Sequence, residues 1–336
     1  MKILLIYRNP TMGHSIGGVF RPIEEALRSY CEVDSHYLPA EGYSPLSLLR
    51  NIQSVRRKLR STHYDIVHIT GTENYLLPTL RNHKSILTLH DIESLERGCR
   101  GLRRLIKRAL FIDTIGLASH VTFISEQSKM ETLRRVKIDL RRVSVIHNPV
   151  DPHYTLRRRE FNAARPTILH IGTAANKNLS RTISALRRVS CRVRIVGRLT
   201  DEQREELASA AIDYTAVWDL TDEQMRNEYE RCDIVNFPST YEGFGMPIIE
   251  GQTTGRIVIT SALEPMRSVG GRGVYLVDPL EVESIRDGYI EIISNHNLRN
   301  RIISRGRANA QRYTIERITR DYFEIYERVN NRQSTR

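Results

Sequence analysis

The chain has 336 residues, 40% hydrophobic and 27% charged, the balance of a globular protein; it excludes a disordered chain and is long enough for two domains of about 150 residues. Its formal net charge of +12 lies mostly in the first half, where residues 1–160 hold 26 Lys and Arg against 16 Asp and Glu, and residues 161–336 hold 25 against 23. Such a basic surface draws nucleic acid, anionic lipid or anionic polysaccharide, and charge alone does not choose among them.

The first apolar run, residues 3–7, is too short before Arg8 for a signal peptide, and nothing later approaches the roughly 20 apolar residues of a membrane span. The expected location is therefore cytoplasmic, with the inner face of a membrane as a peripheral address. A polar loop follows, then Gly17 and Gly18, then a helical pattern ending near Tyr30. The spacing of Gly13, Gly17 and Gly18 does not make Gly-x-Gly-x-x-Gly, which argues against a nicotinamide enzyme. Short β-branched runs recur at 65–70, 86–90, 121–125 and 143–147, with helical patterns between most of them. His90 and Asp91 end one of these strands, at the edge where open α/β sheets bind ligands. Residues 100–111 place Leu102, Leu105, Ile106, Ala109 and Leu110 at helical spacing, with Arg100, Arg103, Arg104, Lys107 and Arg108 around them. That pattern reads as a core-facing stripe with a solvated face, or as a contact with anionic lipid heads.

Residues 148–165, bracketed by Pro149, Pro152 and Pro166, form the expected seam. Five further strands follow at 167–172, 193–197, 233–237, 256–260 and 274–277, and a helical pattern at 314–329. Ten strands alternating with helices predict two doubly wound parallel sheets. The expected domains are residues 1–160 and 161–315, with a C-terminal helix at 316–330. Cys31, Cys99, Cys191 and Cys232 show no metal or redox spacing and read as reduced thiols.

Two segments carry the chemistry. Gly172, Thr173 and Lys177 lie where the second domain's first strand enters its first helix, and Arg198 follows Val196-Gly197. Gly172 permits close approach of backbone to a phosphate, and Lys177 offers a mobile positive charge. In residues 237–260, Glu242 and Glu250 flank Gly243, Phe244, Gly245, Met246 and Pro247 between two β-rich runs. Glycine and proline there predict a strand-to-helix turn whose free N–H groups suit an anion, with Glu250 in the first helical turn beside it. A plainer reading makes both glutamates solvated carboxylates at an ordinary turn.

This two-glutamate segment resembles the signature of the retaining nucleotide-sugar glycosyltransferases of family 4, which have the GT-B fold: two Rossmann-like domains facing a central cleft. The resemblance implies a nucleotide-diphosphate sugar as donor, bound by the domain of residues 161–315, and a glycan or lipid-linked acceptor on the side of residues 1–160, with the helix at 316–330 packing back on that first domain, in the synthesis of bacterial surface polysaccharide such as O-antigen, capsule or lipopolysaccharide. It implies that Glu242, with Gly243, Phe244, Gly245 and Met246, grips the donor sugar, that Glu250 holds the ribose hydroxyls, and that Lys177 neutralises the leaving diphosphate beside Gly172. The family often has an arginine where Thr173 stands, and Arg198 is a candidate substitute. It also places a histidine, here His90, against the donor sugar, and a paired-glycine loop, here Gly17 and Gly18, over the donor phosphates. Ser125-Glu126 and Asn148-Pro149-Val150-Asp151 resemble its structural motifs, with Pro149 in place of the usual glycine. No cofactor or metal is expected, and no Asp-x-Asp clamp is present. The alternatives are a binding protein for nucleic acid or anionic glycan with a degenerate cleft, and a nucleotide-sugar epimerase of the same fold.

Overall fold

The structure, a computed structural model, describes residues 1–12, 15–91 and 101–332, apart from the side chains of residues 12, 15–17, 102 and 103. The chain forms two compact units, one of Met1–Pro149 with Ile315–Arg336, the other of Val150–Thr314.

In the first unit β1 (Lys2–Tyr7), β2 (Glu32–Tyr37), β3 (Ile66–Ile69), β4 (Ser85–Leu89), β5 (His120–Phe123) and β6 (Val143–Val145) form one parallel sheet in the order β2-β1-β3-β4-β5-β6. In the second, β7 (Thr167–Ile171), β8 (Arg192–Val196), β9 (Tyr214–Val217), β10 (Ile234–Phe237), β11 (Ile257–Ser261) and β12 (Tyr275–Val277) pair in parallel in the order β12-β11-β10-β7-β8-β9. The ten expected strands are present. The two that periodicity did not single out, β2 and β9, are edge strands: Glu-Val-Asp-Ser-His-Tyr and Tyr-Thr-Ala-Val are only partly buried, so neither needs a continuous apolar run.

Side-chain alternation along β1 explains why its run is wholly apolar. Leu4 and Ile6 join a cluster with Val67, Ile69, Leu87 and Phe111, whereas Ile3, Leu5 and Tyr7 point into a second cluster with Phe20, Ile23 and Leu27. That second cluster is completed by Ile318, Tyr322, Ile325, Tyr326 and Val329 of the helix Ile315–Asn331. The boundary between the units falls at Pro149, about ten residues before the expected 160. The intervening segment is tied to the second unit: Arg157 N–H donates to the Thr254 carbonyl, Arg157 Nε pairs with Glu230 at 2.9 Å, and Arg159 Nε pairs with Asp233 at 2.9 Å.

The basic segment forms the helix Gly101–Lys107 and a wider turn over Arg108–Ile112. Phe111 and Ile112 are buried, but Leu105 and Ile106 are 64% and 52% exposed beside exposed Arg104 and Arg108, so the stripe is not core-facing along its length. Arg100 and the side chain of Arg103 lie outside the described residues, as does Cys99. Among the described residues no helix is long and apolar enough to cross a membrane.

His68 on β3 is fully buried and bonded at both ring nitrogens, Nδ1 to Tyr326 Oη at 2.7 Å and Nε2 to Thr88 Oγ1 at 2.8 Å. Burial holds its pKa down to about 3, so the ring stays neutral and stitches the helix Ile315–Asn331 to the sheet. Tyr326→Phe strands one buried ring nitrogen, and urea unfolding is expected to show a loss of about 1–3 kcal/mol with the slope unchanged; a loss within error would remove this bond from the packing of the unit.

Candidate active site

The second unit brings together most of the residues singled out at 172–177 and 242–246. After β7 the chain turns at Gly172, whose φ of +91° lies in the region that favours glycine. A Cβ there would stand 2.8 Å from Lys177 Cγ, so the absent side chain is the space the lysine stem fills. Asn178 then takes a left-handed conformation and donates through Nδ2 to the carbonyls of Pro238 (3.1 Å) and Pro279 (2.6 Å). This clasp ties the Lys177 turn to the loop leaving β10.

Across that clasp, Lys177 Nζ donates to Glu242 Oε1 at 2.6 Å and lies 4.8 Å from the centroid of the Phe237 ring. Asn176 reinforces it, donating from Nδ2 to the Tyr241 carbonyl at 2.9 Å and to the same Glu242 oxygen at 3.3 Å, while Thr240 N–H donates back to the Asn176 carbonyl. Both partners are mostly withdrawn from solvent, with side-chain exposures of 23% and 14%. A cation and a carboxylate are thus held side by side on two loops at the carboxyl edge of the sheet. Asn176 was not singled out from the sequence, although it directly precedes Lys177.

Gly243 and Phe244 lead to Gly245, which has φ +112° and precedes the helix Met246–Thr253, with Met246 first and Pro247 in its opening turn. A Cβ at Gly245 would approach Ile248 Cδ1 to 3.0 Å. Phe244 is buried edge-on to Tyr313. Glu250 lies beyond the first turn, correcting the expected placement, and its Oε2 accepts from Tyr229 Oη. Tyr229 comes from the helix Asp222–Arg231 and packs edge-on to Tyr154 at 5.4 Å. Enclosure by protein pushes the Glu250 carboxyl up to about 7; the Tyr229 bond opposes the rise, and the charges of Asp151 and Asp222 add to it. No sequence signal tied Tyr229 to Glu250, because the two lie on separate helices 21 residues apart.

Arg198 is placed differently. It is exposed, pairs with Asp219 at 2.5 Å and lies over the Trp218 ring, while Thr173 Oγ1 donates to its carbonyl at 2.8 Å. The guanidinium is therefore engaged away from the Lys177–Glu242 pair.

His90 and the two glycines belong to the first unit. His90 Nε2 is 3.0 Å from the Thr70 carbonyl, and burial holds its pKa down to about 4, with the bond to Thr70 opposing this. Gly17 and Gly18 lie inside the helix Ser15–Leu27 and not in a loop before it, and a Cβ on Gly18 would meet nothing within 4 Å. Ser125 caps the helix Glu126–Leu133 through a capping box with Ser128, a structural role. Among the described residues no group of three or more His, Cys, Asp or Glu could hold a metal ion.

Two family profiles match nearly end to end, "Glycosyltransferase Family 4" over residues 13–154 and "Glycosyl transferases group 1" over residues 155–309. The chain is similar to O-antigen chain mannosyltransferase B of Escherichia coli, 28% identical over 107 residues that make up 32% of this chain and only 28% of that protein. Sucrose-phosphate synthase from Thermosynechococcus elongatus superposes with a TM-score of 0.80 at 16% identity, over 98% of this chain and 99% of that one. HepE of Anabaena, solved with UDP-glucose, superposes with a TM-score of 0.75 at 17% identity, over 98% and 100%. With both halves matched by glycosyltransferase profiles and both sheets built as in these GT-B structures, this chain belongs to the family 4 glycosyltransferases.

Proposed function

We propose that the protein transfers a hexose-type sugar, with retention of anomeric configuration, from a nucleotide-diphosphate donor to a hydroxyl of a glycan or lipid-linked acceptor in bacterial surface polysaccharide synthesis. The observation that carries this reading is the Lys177–Glu242 pair on two glycine-bearing loops at the carboxyl edge of the second sheet. It is supported by the printed description of the E. coli relative, an O-antigen chain mannosyltransferase, and by UDP-glucose in the Anabaena structure.

In this mechanism the bond from the anomeric carbon to the phosphate oxygen breaks and its electron pair leaves with the diphosphate. The acceptor oxygen bonds to the same face of that carbon, and its proton passes to the departing phosphate. The protein has to stabilise a cationic sugar and an anionic leaving group together. Lys177 meets the developing negative charge, and Glu242 with the backbone of 243–246 holds the sugar hydroxyls. Glu250, fixed by Tyr229, receives the ribose hydroxyls, and His90 orients the sugar as a neutral imidazole. Gly172 and Thr173 line the diphosphate turn. No metal or cofactor takes part, because lysine and loop N–H groups supply the positive charge.

A thermal-shift panel of UDP, GDP, dTDP and ADP with their common sugar conjugates, with and without EDTA, tests the reading; one base is expected to stabilise the protein selectively and without metal. Lys177→Ala is expected to weaken that donor about tenfold or more. A wild-type protein unshifted by every nucleotide refutes the proposal and favours the basic binding-protein alternative.

Glu250 gives a pH signature. An acid near 4.5 when unfolded and about 7 when folded holds its proton in the native state, so its contribution is full below 4.5 and is lost as pH rises to 7. Glu250→Gln is expected to remove that decline, an effect on the order of 3 kcal/mol. Donor affinity should run the opposite way in the wild type, rising from pH 6 to 8 as the carboxylate becomes a full acceptor for ribose. Calorimetric titration showing a flat wild-type profile, or the same rise in Glu250→Gln, would remove Glu250 from ribose binding.

The exposed Leu105 and Ile106 beside Arg104 and Arg108, with Lys107 between them, support contact with an anionic membrane surface, in which Arg100 and Arg103 take part by sequence position. At about 1 kcal/mol per basic residue, vesicles of phosphatidylglycerol should sediment the protein and neutral phosphatidylcholine should not. Replacing Leu105, Ile106, Arg104 and Arg108 with Ser should abolish the difference; unchanged sedimentation would locate membrane contact elsewhere or nowhere.

A further inference from the structure

Glu73 follows β3 at the carboxyl edge of the first sheet and is buried to 2% exposure, yet neither oxygen of its carboxyl has a partner at full hydrogen-bonding geometry among the described residues, only the Thr72 hydroxyl and its own N–H close enough to favour the carboxylate. It starts the short helix Asn74–Leu80 without capping it. The next residue repeats the pattern, since Asn74 is wholly buried, its Nδ2 donates to the Phe111 carbonyl at 2.6 Å, and its Oδ1 has no partner. Leaving polar oxygens buried and unbonded is costly, and adjacent instances at a ligand-binding edge mark a place where another molecule supplies the bonds.

The surroundings indicate which molecule. Arg8, after β1, lies near enough to oppose the rise that burial imposes on the Glu73 carboxyl, and Tyr43 and Tyr75 are near enough to feel the charge of Glu73. Tyr43 Oη and Thr72 Oγ1 stand 3.4 Å apart, and Tyr43 is 40% exposed. The Tyr43 ring is edge-on to Phe111 at 5.0 Å, and Tyr75 is edge-on to Phe111 at 5.5 Å. A carboxyl and two hydroxyls beside the exposed ring of Tyr43, itself braced by buried Phe111, suit a polyhydroxylated, uncharged ring, which offers hydroxyls to the polar groups and a C–H face to Tyr43.

We propose that Glu73, with Thr72 and Tyr43, binds the hydroxyl groups of the acceptor sugar. The assignment rests on the glycosyltransferase reading above, and it makes Glu73 a substrate-contacting group that no resemblance had singled out. Glu73 accepts from one acceptor hydroxyl, and Tyr43 and Thr72 bond to its neighbour, which fixes the ring that presents the nucleophile.

Saturation-transfer NMR on the full chain tests this, with methyl α-D-mannopyranoside, methyl β-D-galactopyranoside and methyl β-D-glucopyranoside as acceptor probes and UDP and GDP as donor probes. At least one glycoside is expected to give signal in the wild type, falling about tenfold in Glu73→Gln and in part in Tyr43→Phe, with the nucleotide signals unchanged. Glycoside signal equal in wild type and both variants overturns the assignment, as does its absence where a nucleotide binds. Absence of any nucleotide signal instead sinks the parent reading at the Glu250 site, and a glycoside signal that still depends on Glu73 then identifies a sugar-binding protein with the same subsite. Should Glu73→Gln fail to fold, Tyr43→Phe decides, because Tyr43 is 40% exposed and the loss of its hydroxyl leaves the core intact.

Discussion

Every strand pairing in both sheets is parallel, and that constraint organises the molecule. A parallel neighbour can be reached only by carrying the chain back across a face, so each strand leaves its sheet at the same edge and each such exit is a loop. Sheet interiors are covered and mostly apolar, their few polar side chains bonded to one another; the polar groups open to a ligand collect where the strands end. In the first unit that edge holds Arg8, Thr72, Glu73 and His90, and in the second it holds Gly172, Lys177, Arg198 and Glu242. The location of the functional groups follows from the pairing before any one residue is considered.

Within the second unit the candidate site depends on mutual support. Lys177 keeps its place because Gly172 has no side chain, because Asn178 clasps two carbonyls, and because Asn176 bonds the same Glu242 oxygen as the lysine. A flexible lysine on an unsupported turn would spread its charge over many rotamers, and ordering it at the moment of binding would cost affinity. Here the ordering is built into the fold. The same holds for Glu250, whose bond to Tyr229 fixes one carboxyl oxygen and leaves the orientation of the other determined.

How much of this was legible in the sequence follows from physical rules. Strands buried on both faces are mostly apolar, broken only by internally bonded residues such as His170 on β7 and Asn236 on β10, which is why β1, β7 and β10 stood out, while β2 and β9, each with only one neighbour, resembled loops. The Gly172–Lys177 turn and the residues 242–246 were readable because glycines at strand ends constrain where a ligand can approach. The partner of Arg198 was not, since Asp219 lies on the far side of another helix and strand, nor was the Tyr229–Glu250 bond, which joins two helices. Gly17 and Gly18 misled for a related reason: glycine signals conformational freedom but does not oblige the chain to use it, and here a helix runs through both. Glu73 gave no signal, because burial without a partner is a property of three dimensions alone.

The helix Ile315–Asn331 has a consequence for the order of assembly. It belongs to the first unit but is synthesised after the whole of the second, whose own ends are brought together by the bond from Val150 N–H to the Tyr313 carbonyl. The second unit is thus an insertion, contiguous in sequence and able to close as soon as it leaves the ribosome. The first unit cannot do the same. Until Ile318, Tyr322, Ile325 and Tyr326 arrive, one face of its sheet, with Ile3, Leu5, Phe20 and Ile23, stays open to water. The basic half of the chain therefore waits with an apolar face uncovered during translation, the interval in which a chaperone has something to hold.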